Sequence, residues 1–496
     1  VFFSGGSVRL TGRAVLGTLV LLAALGAIGV AVADWFTGRS TRPPESRKAV
    51  TADPSGYSEF LKAVTPEGVL EHERRFQTIA DAHGNTRAAG TPGYRESREY
   101  VAKRLRRAGY DVRVQSFEFP FFRVLAPLEM ARVSPDPHAY ELGEDFAPIL
   151  YSGSGEVTAD LEPVDILPSA GGEPDPSTSG CEESDFTDFD EGDVAFLQRG
   201  TCTFEEKARN AEAAGASAAL ILNREVDNKT ETIRGTLGKP GVTIPVLGTS
   251  FAVGEDLVRM TQGGDVSVRV SASTVSEMRE ASNVIADTDE GREDQTVVVG
   301  AHLDSVPEGP GINDNGSGSA TILEIAEKMS ELGIEPRNRV RFAFWGAEEP
   351  GLFGSKYYVA QLDERQLGDI AVYLNFDMVA SPNYVRFIYG SGEVREVFEN
   401  FFGSRGMKAE TVDLKGRSDH GPFAAEDIPV GGLFSGAEGR KTGEQAEVYG
   451  GEAGVAYDGC YHEACDDVGN LSTKALEQLS DGAAYATYAF AQGERR

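Results

Sequence analysis

Residues 295–304, QTVVVGAHLD, run directly into SVPEGPGINDNGSGSA at 305–320, and this stretch decides the fold. An unbroken β-branched run reads as a strand buried on both faces, which belongs to a sheet covered by helices rather than to a half-solvated hairpin. The strand closes on His302, a glycine-rich turn follows, and Ser319 to Leu332 reads as a helix. Downstream, RVRFAFWGAEE (339–349) is a strand running into an acidic loop, and DIAVYLNFDMV (369–379) is another strand. Upstream, SNVIAD (282–287) is a further short strand. Hydrophobic strands separated by helices predict an α/β architecture, a mixed and mainly parallel sheet sandwiched by helices. Ligands of such sheets bind beyond the carboxyl ends of the strands, where the acidic and histidine motifs of this chain fall.

The chain has 496 residues, two or three domains at about 150 residues each. Asp plus Glu is 78 against 47 for Lys plus Arg, a formal charge of −31. Such a surface repels phosphate backbones, so nucleic acid is not expected as a partner. Residues 14–33, AVLGTLVLLAALGAIGVAVA, carry no charge, follow Arg9 and Arg13, and are long enough to cross a hydrocarbon core. Ala31-Val32-Ala33 also has the pattern that signal peptidases cut. Residues 1–36 therefore read as an export signal or a membrane anchor. Either one places the bulk of the chain outside the cell, secreted or held on the outer face of the membrane through 14–33 if uncleaved. Residues 37–56, with Pro43, Pro44 and Pro54, read as a linker. Four cysteines, Cys181, Cys202, Cys460 and Cys465, suit two disulfides in an oxidising compartment, with four buried thiols as the alternative.

Individual motifs suggest a metal. His302 at a strand end is well placed as a ligand, with Asp304 two residues on to orient the ring. Asp314 lies in a glycine-rich turn before a helix; the turn has no phosphate-loop lysine. Glu348 and Glu349 are adjacent carboxylates at a strand end, costly to hold together unless a cation or proton separates their charge. One could ligate a metal while the other takes a proton from water. Asp377 interrupts an apolar strand and needs a partner, a metal ion or an arginine. His462 lies between Cys460 and Cys465, too cramped for a zinc knuckle, so a disulfide presenting the histidine is expected. His420, in GRSDHGPF, is a weaker candidate. Oxygen and imidazole donors without thiolate suit Zn²⁺, and five protein ligands fit two metals sharing a carboxylate better than one.

Two resemblances add to this reading. DVAFLQRGTCTFEEKARNAEAAGASAALILN (193–223), with the Gly-Cys at 180–181 and TIPVLGTS beyond, resembles the protease-associated (PA) domain. That likeness implies a mostly-β, noncatalytic insert over 131–275 and a Cys181–Cys202 bridge. AHLDSVPEGPGINDNGSGSA, FAFWGAEEPGLFGSKYYV, LNFDMVASPN, GRSDHGPF, GGLFSGA and CYHEACD resemble the secreted two-zinc bacterial leucine aminopeptidases of peptidase family M28. The likeness covers 280 to about 490 and extends to the opening helices and strand at 57–125.

The second resemblance implies a zinc-exopeptidase fold of the phosphorylase/hydrolase-like type, its peptidase domain divided into 57–130 and 276–496. It implies two Zn²⁺ per chain, with Asp314 bridging, His302 and Asp377 completing one site, and Glu349 and His462 the other. Glu348 would be the general base acting on a water between the metals. Tyr461 would stabilise the tetrahedral intermediate, Arg417 would lie near the substrate, Asp304 would act behind the ligands, and Cys460–Cys465 would be bridged. Peptides with free, hydrophobic N-termini are the implied substrates. A structural Ca²⁺ and a monomeric state complete these expectations. A dipeptidase, a carboxypeptidase, a glutaminyl cyclase or an inactive PA-bearing ectodomain are the alternatives. The insert is expected over the rim of the site.

Overall fold

A computed structural model describes residues 54–166, 177–224 and 231–493. The segment 14–33 and the proposed linker as far as 53 lie outside the described residues, and the first described helix starts at Pro54. Among the described residues no helix is long and apolar enough to cross a membrane.

Strands β1 (Asp111–Val124), β2 (Thr274–Asp287), β3 (Arg292–His302), β4 (Asn338–Trp345), β5 (Ile370–Phe376), β6 (Phe387–Gly390), β7 (Glu410–Thr411) and β8 (Val430–Phe434) form one sheet. Their order is β1-β2-β4-β3-β5-β8-β6-β7. The centre is parallel, with β3 between β4 and β5, and β8 beside β5. Antiparallel pairs flank it. The valine run explains why β3 is central. Successive side chains alternate between faces, so Val297 and Val299 join one core with Phe342 and Phe344, while Val298 joins the opposite core with Trp345 and Tyr373.

The first face is covered by helices α1 (Pro54–Ala63), α2 (Pro66–Ala82), α3 (Pro92–Arg107), α4 (Gly318–Glu331) and α5 (Thr473–Gln492). Thr65 and Thr91 cap α2 and α3, each followed by a proline whose missing N–H costs nothing at a first turn. Ile322, Leu323, Ile325, Ala326 and Met329 bury α4 against the sheet.

A second eight-stranded sheet, built between Glu129 and Ala272, packs two small cores on its faces. It hangs from the β1–β2 ribbon, paired in continuous register from Asp111↔Asp287 to Val124↔Thr274. Only Val284–Asp287 of β2 pairs with β4. Because Val284 sits opposite Phe344, the rest of the ribbon projects past the carboxyl end of β4, the end that leads into Glu348. Cys181 and Cys202 are bridged in this unit, with Cα atoms 5.8 Å apart.

In the same unit Lys207 is buried and donates to the Ser179 carbonyl. Burial lowers its ammonium from 10.5 to about 8. The unfolded chain therefore binds more protons than the native one between those values, and stability rises with pH across that window. Thermal melts from pH 8 to 10.5 are expected to show this slope for the native chain and not for Lys207→Met.

Candidate active site

The carboxyl ends of β3, β4 and β5 bring the predicted ligands together. His302 is the last residue of β3, Glu348 and Glu349 follow β4, and Asp377 follows β5. Asp314 comes from the turn before α4, and His462 from a loop closed by the Cys460–Cys465 disulfide. The His302 Nε2 lies 3.2 Å from Asp314 Oδ1 and 3.4 Å from Asp377 Oδ1. The His462 Nε2 lies 3.3 Å from Asp314 Oδ2 and 3.1 Å from Glu349 Oε2. The two triads share Asp314, one oxygen each.

Three of the ten non-glycine residues with positive φ among the described residues lie here. Ala347, Met378 and His462 hold φ of 54°, 51° and 61°. This left-handed region is unfavourable for side chains with a Cβ, and such strain gathers at functional sites.

Positioning contacts fix each donor. His302 Nδ1 lies 3.1 Å from the Asp304 carbonyl oxygen, which leaves Nε2 to face the carboxylates. The Asp304 side chain does something other than orient the ring. It stands 3.8 Å from Nδ1 and accepts the backbone N–H groups of Glu348 (3.1 Å) and Glu349 (3.4 Å). Main-chain geometry at a strand end gives the carbonyl the ring and frees the carboxylate for the next loop. Ser418 donates to Asp377 Oδ2 at 2.7 Å. Tyr461 stacks on the His462 ring, centroids 3.8 Å apart. Arg417 is 69% exposed and reaches Glu438 at 3.4 Å. His420 does not join the cluster; it packs beside the Tyr389 ring.

Several groups were not foreseen from the sequence. Asp466 accepts the N–H groups of Asn313 (2.8 Å) and Asp314 (2.9 Å), pinning the Asp314 backbone from behind. Arg87, fully buried, donates to the carbonyls of Leu303 (2.5 Å), Pro310 (2.9 Å) and Gly311 (2.5 Å), clamping the loop between His302 and Asp314. Asp419 is buried within electrostatic reach of His302 and Asp377. Asp419 and Asp466 each sit beside a quoted motif residue, His420 and Cys465, and that adjacency was the available signal.

The electrostatics leave the cluster in need of positive charge. Burial raises Glu348 well above the carboxylate range and pushes Glu349 to about 8. His462, against the cost of burial, is held up to about 10 by Asp314 and Glu349. Glu349 Oε1 is buried without a hydrogen-bond partner. Donors about 2.1 Å from a tetrahedral cation stand roughly 3.4 Å apart, which is the spacing of Nε2 and oxygen in both triads. Two imidazoles and three carboxylates without thiolate are a donor set for zinc. The residues fit metal.

Fold and site together define an α/β protein with a candidate metal centre at the carboxyl ends of its central strands. The profile of Peptidase family M28 matches residues 283–487, and that of the PA domain matches 157–257. An aminopeptidase of Pseudomonas aeruginosa is 41% identical over 468 residues, spanning 91% of this chain and 85% of that protein. A probable lipoprotein aminopeptidase of Mycobacterium tuberculosis is 38% identical, spanning 95% of this chain and 94% of that one. Among solved structures, a zinc aminopeptidase from Bacillus subtilis superposes with a TM-score of 0.56 at 27% identity, covering 87% of this chain and 96% of the other. The chain belongs to peptidase family M28, as a metallo-aminopeptidase carrying a PA domain.

Proposed function

We propose that the chain is an extracellular zinc aminopeptidase that removes a hydrophobic N-terminal residue from peptides, with two metal ions in the triads that share Asp314. The carrying observation is that both oxygens of Asp314 face a histidine Nε2, at 3.2 and 3.3 Å, with Asp377 and Glu349 completing the two sides. His302, Asp314 and Asp377 would hold one ion, and His462, Asp314 and Glu349 the other. When bound, the ions polarise the scissile carbonyl and make a water acidic enough to attack at neutral pH.

The chain's own groups do the rest. Glu348 takes the attacking water's proton on its carboxylate and returns it to the leaving amine nitrogen. Asp304 aims Glu348 by holding its backbone N–H. The Tyr461 hydroxyl donates to the oxyanion, and burial keeps that hydroxyl protonated throughout by raising it far above the phenol range. Carboxylates at Glu348 and Asp377 suit the free α-amine of a substrate. The hydrophobic preference rests on the resemblance to leucine aminopeptidases.

Two disulfides, the apolar run at 14–33 and the lipoprotein relative support the extracellular side. The ribbon that projects past the carboxyl end of β4 supports a PA unit at the rim, where it would restrict access to short or unstructured chains.

Leu-p-nitroanilide should be cleaved and its N-acetylated form should not; exhaustive chelation should abolish cleavage, and Zn²⁺ should restore it. Equal turnover of the blocked substrate, which has no free terminus, would refute aminopeptidase action. Undiminished activity in a chelated, metal-free sample would refute the metal.

A further inference from the structure

A second histidine–carboxylate cluster lies outside the triads, where α2, α3 and α4 meet. His72 is on α2, and Glu324 and Glu327 are one turn apart on the same face of α4. All three are buried, His72 to 1% exposure. The His72 Nε2 stands 3.6 Å from Glu324 Oε2 and 3.7 Å from Glu327 Oε2. Both separations exceed a hydrogen bond, and Nε2 and Glu324 Oε1 are buried with no hydrogen-bond partner. The other ring nitrogen, Nδ1, is 2.7 Å from the Tyr100 hydroxyl on α3.

This is the arrangement of His302. One ring nitrogen is held by an oxygen behind it, and the other faces two carboxylates at the spacing of neighbouring ligands rather than of donor and acceptor. If Nδ1 donates to Tyr100, an unprotonated Nε2 points its lone pair at two carboxylates, a repulsion that a cation between them removes. The surrounding charges agree. Arg104 forks onto Glu327 at 2.5 Å on both arms and reaches Glu71 at 3.5 Å. Lys328 lies 3.9 Å from Glu324 but is paired with Glu331 at 2.8 Å. Glu324 is thus left with a cation only at 3.9 Å and no hydrogen-bond donor on its buried Oε1, a shortfall of positive charge that a divalent ion fills. Gly68 makes the approach possible, since a Cβ there would lie 2.0 Å from Glu324 Oε1.

We propose that His72, Glu324 and Glu327 form a closed structural site for a divalent metal ion, zinc by its donor set, which ties α2 to the helix that follows Asp314. His72 Nε2, both oxygens of Glu324 and one of Glu327 supply four donors, and burial leaves no path for substrate. The site is independent of the two triads.

The test measures bound zinc by elemental analysis on the full chain as a His302→Gln/His462→Gln double variant, with and without His72→Gln. The double variant is expected to retain about one more equivalent than the triple, whatever the triads still hold. His72→Gln alone should lose the same amount of zinc and keep the cleavage rate of the native chain. Co²⁺ added to the metal-depleted double variant should give visible absorption bands, and this needs no change in the cluster should the triple variant fail to fold. Equal zinc in double and triple variants, or no cobalt bands from the double variant, would overturn the site.

Discussion

Glu348→Gln is expected to lower kcat on Leu-p-nitroanilide by roughly two to four orders of magnitude, the usual worth of a general base. The amide keeps the shape of the side chain and cannot accept the proton. Glu348 is not counted among the ligands, so zinc content and melting temperature should match the native chain. Because the lost interaction belongs to the transition state, kcat and kcat/KM should fall together. Steady-state kinetics beside elemental analysis check this. A variant with native kcat would remove Glu348 from the role, and a variant that has lost zinc would reassign it to the ligand set.

Arg87→Met should carry the largest cost in stability, about 3–5 kcal/mol, the range for removing one member of a buried ionic network. Its guanidinium serves three carbonyls of the loop that joins His302 to Asp314. It also lies among Asp304, Asp466, Asp314 and Glu349, whose charges it offsets, while burial lowers it to about 10. Methionine fills the volume but leaves the carbonyls without donors and the carboxylates without their cation. Arg87→Lys should recover little, because one ammonium cannot replace a planar fork spread over three acceptors. Denaturant unfolding of the native, Met and Lys chains measures this. A change within about 0.5 kcal/mol for Met would place Arg87 among ordinary surface positions.

Much of the site was legible before the fold was known, for a physical reason. A charged or imidazole side chain that ends or interrupts an apolar strand has to be explained locally, and His302, Glu348, Glu349 and Asp377 all stand at such points. The cysteine spacing around His462 carried similar information, and the bridge is present. Arg87 had no such mark. It sits in HGNTRAAGT (83–91), a polar stretch that reads as a surface loop, and its partners lie more than two hundred residues away. His72 was equally silent, one residue of an amphipathic helix until α4 supplied Glu324 and Glu327.

The sequence by itself determined the α/β class and the order of the acidic and histidine motifs, because strand periodicity, strand-end residues and turn chemistry are local properties. The tertiary structure alone decided which oxygen of Asp314 faces which histidine and that the Asp304 carboxylate serves the Glu348–Glu349 backbone rather than the ring. It also decided that Arg87 and Asp466 hold the loop from behind. Those are contacts between segments far apart in the chain. Their energies come from pairing buried charge and carbonyls, and that pairing exists only once the sheet has brought the strand ends together.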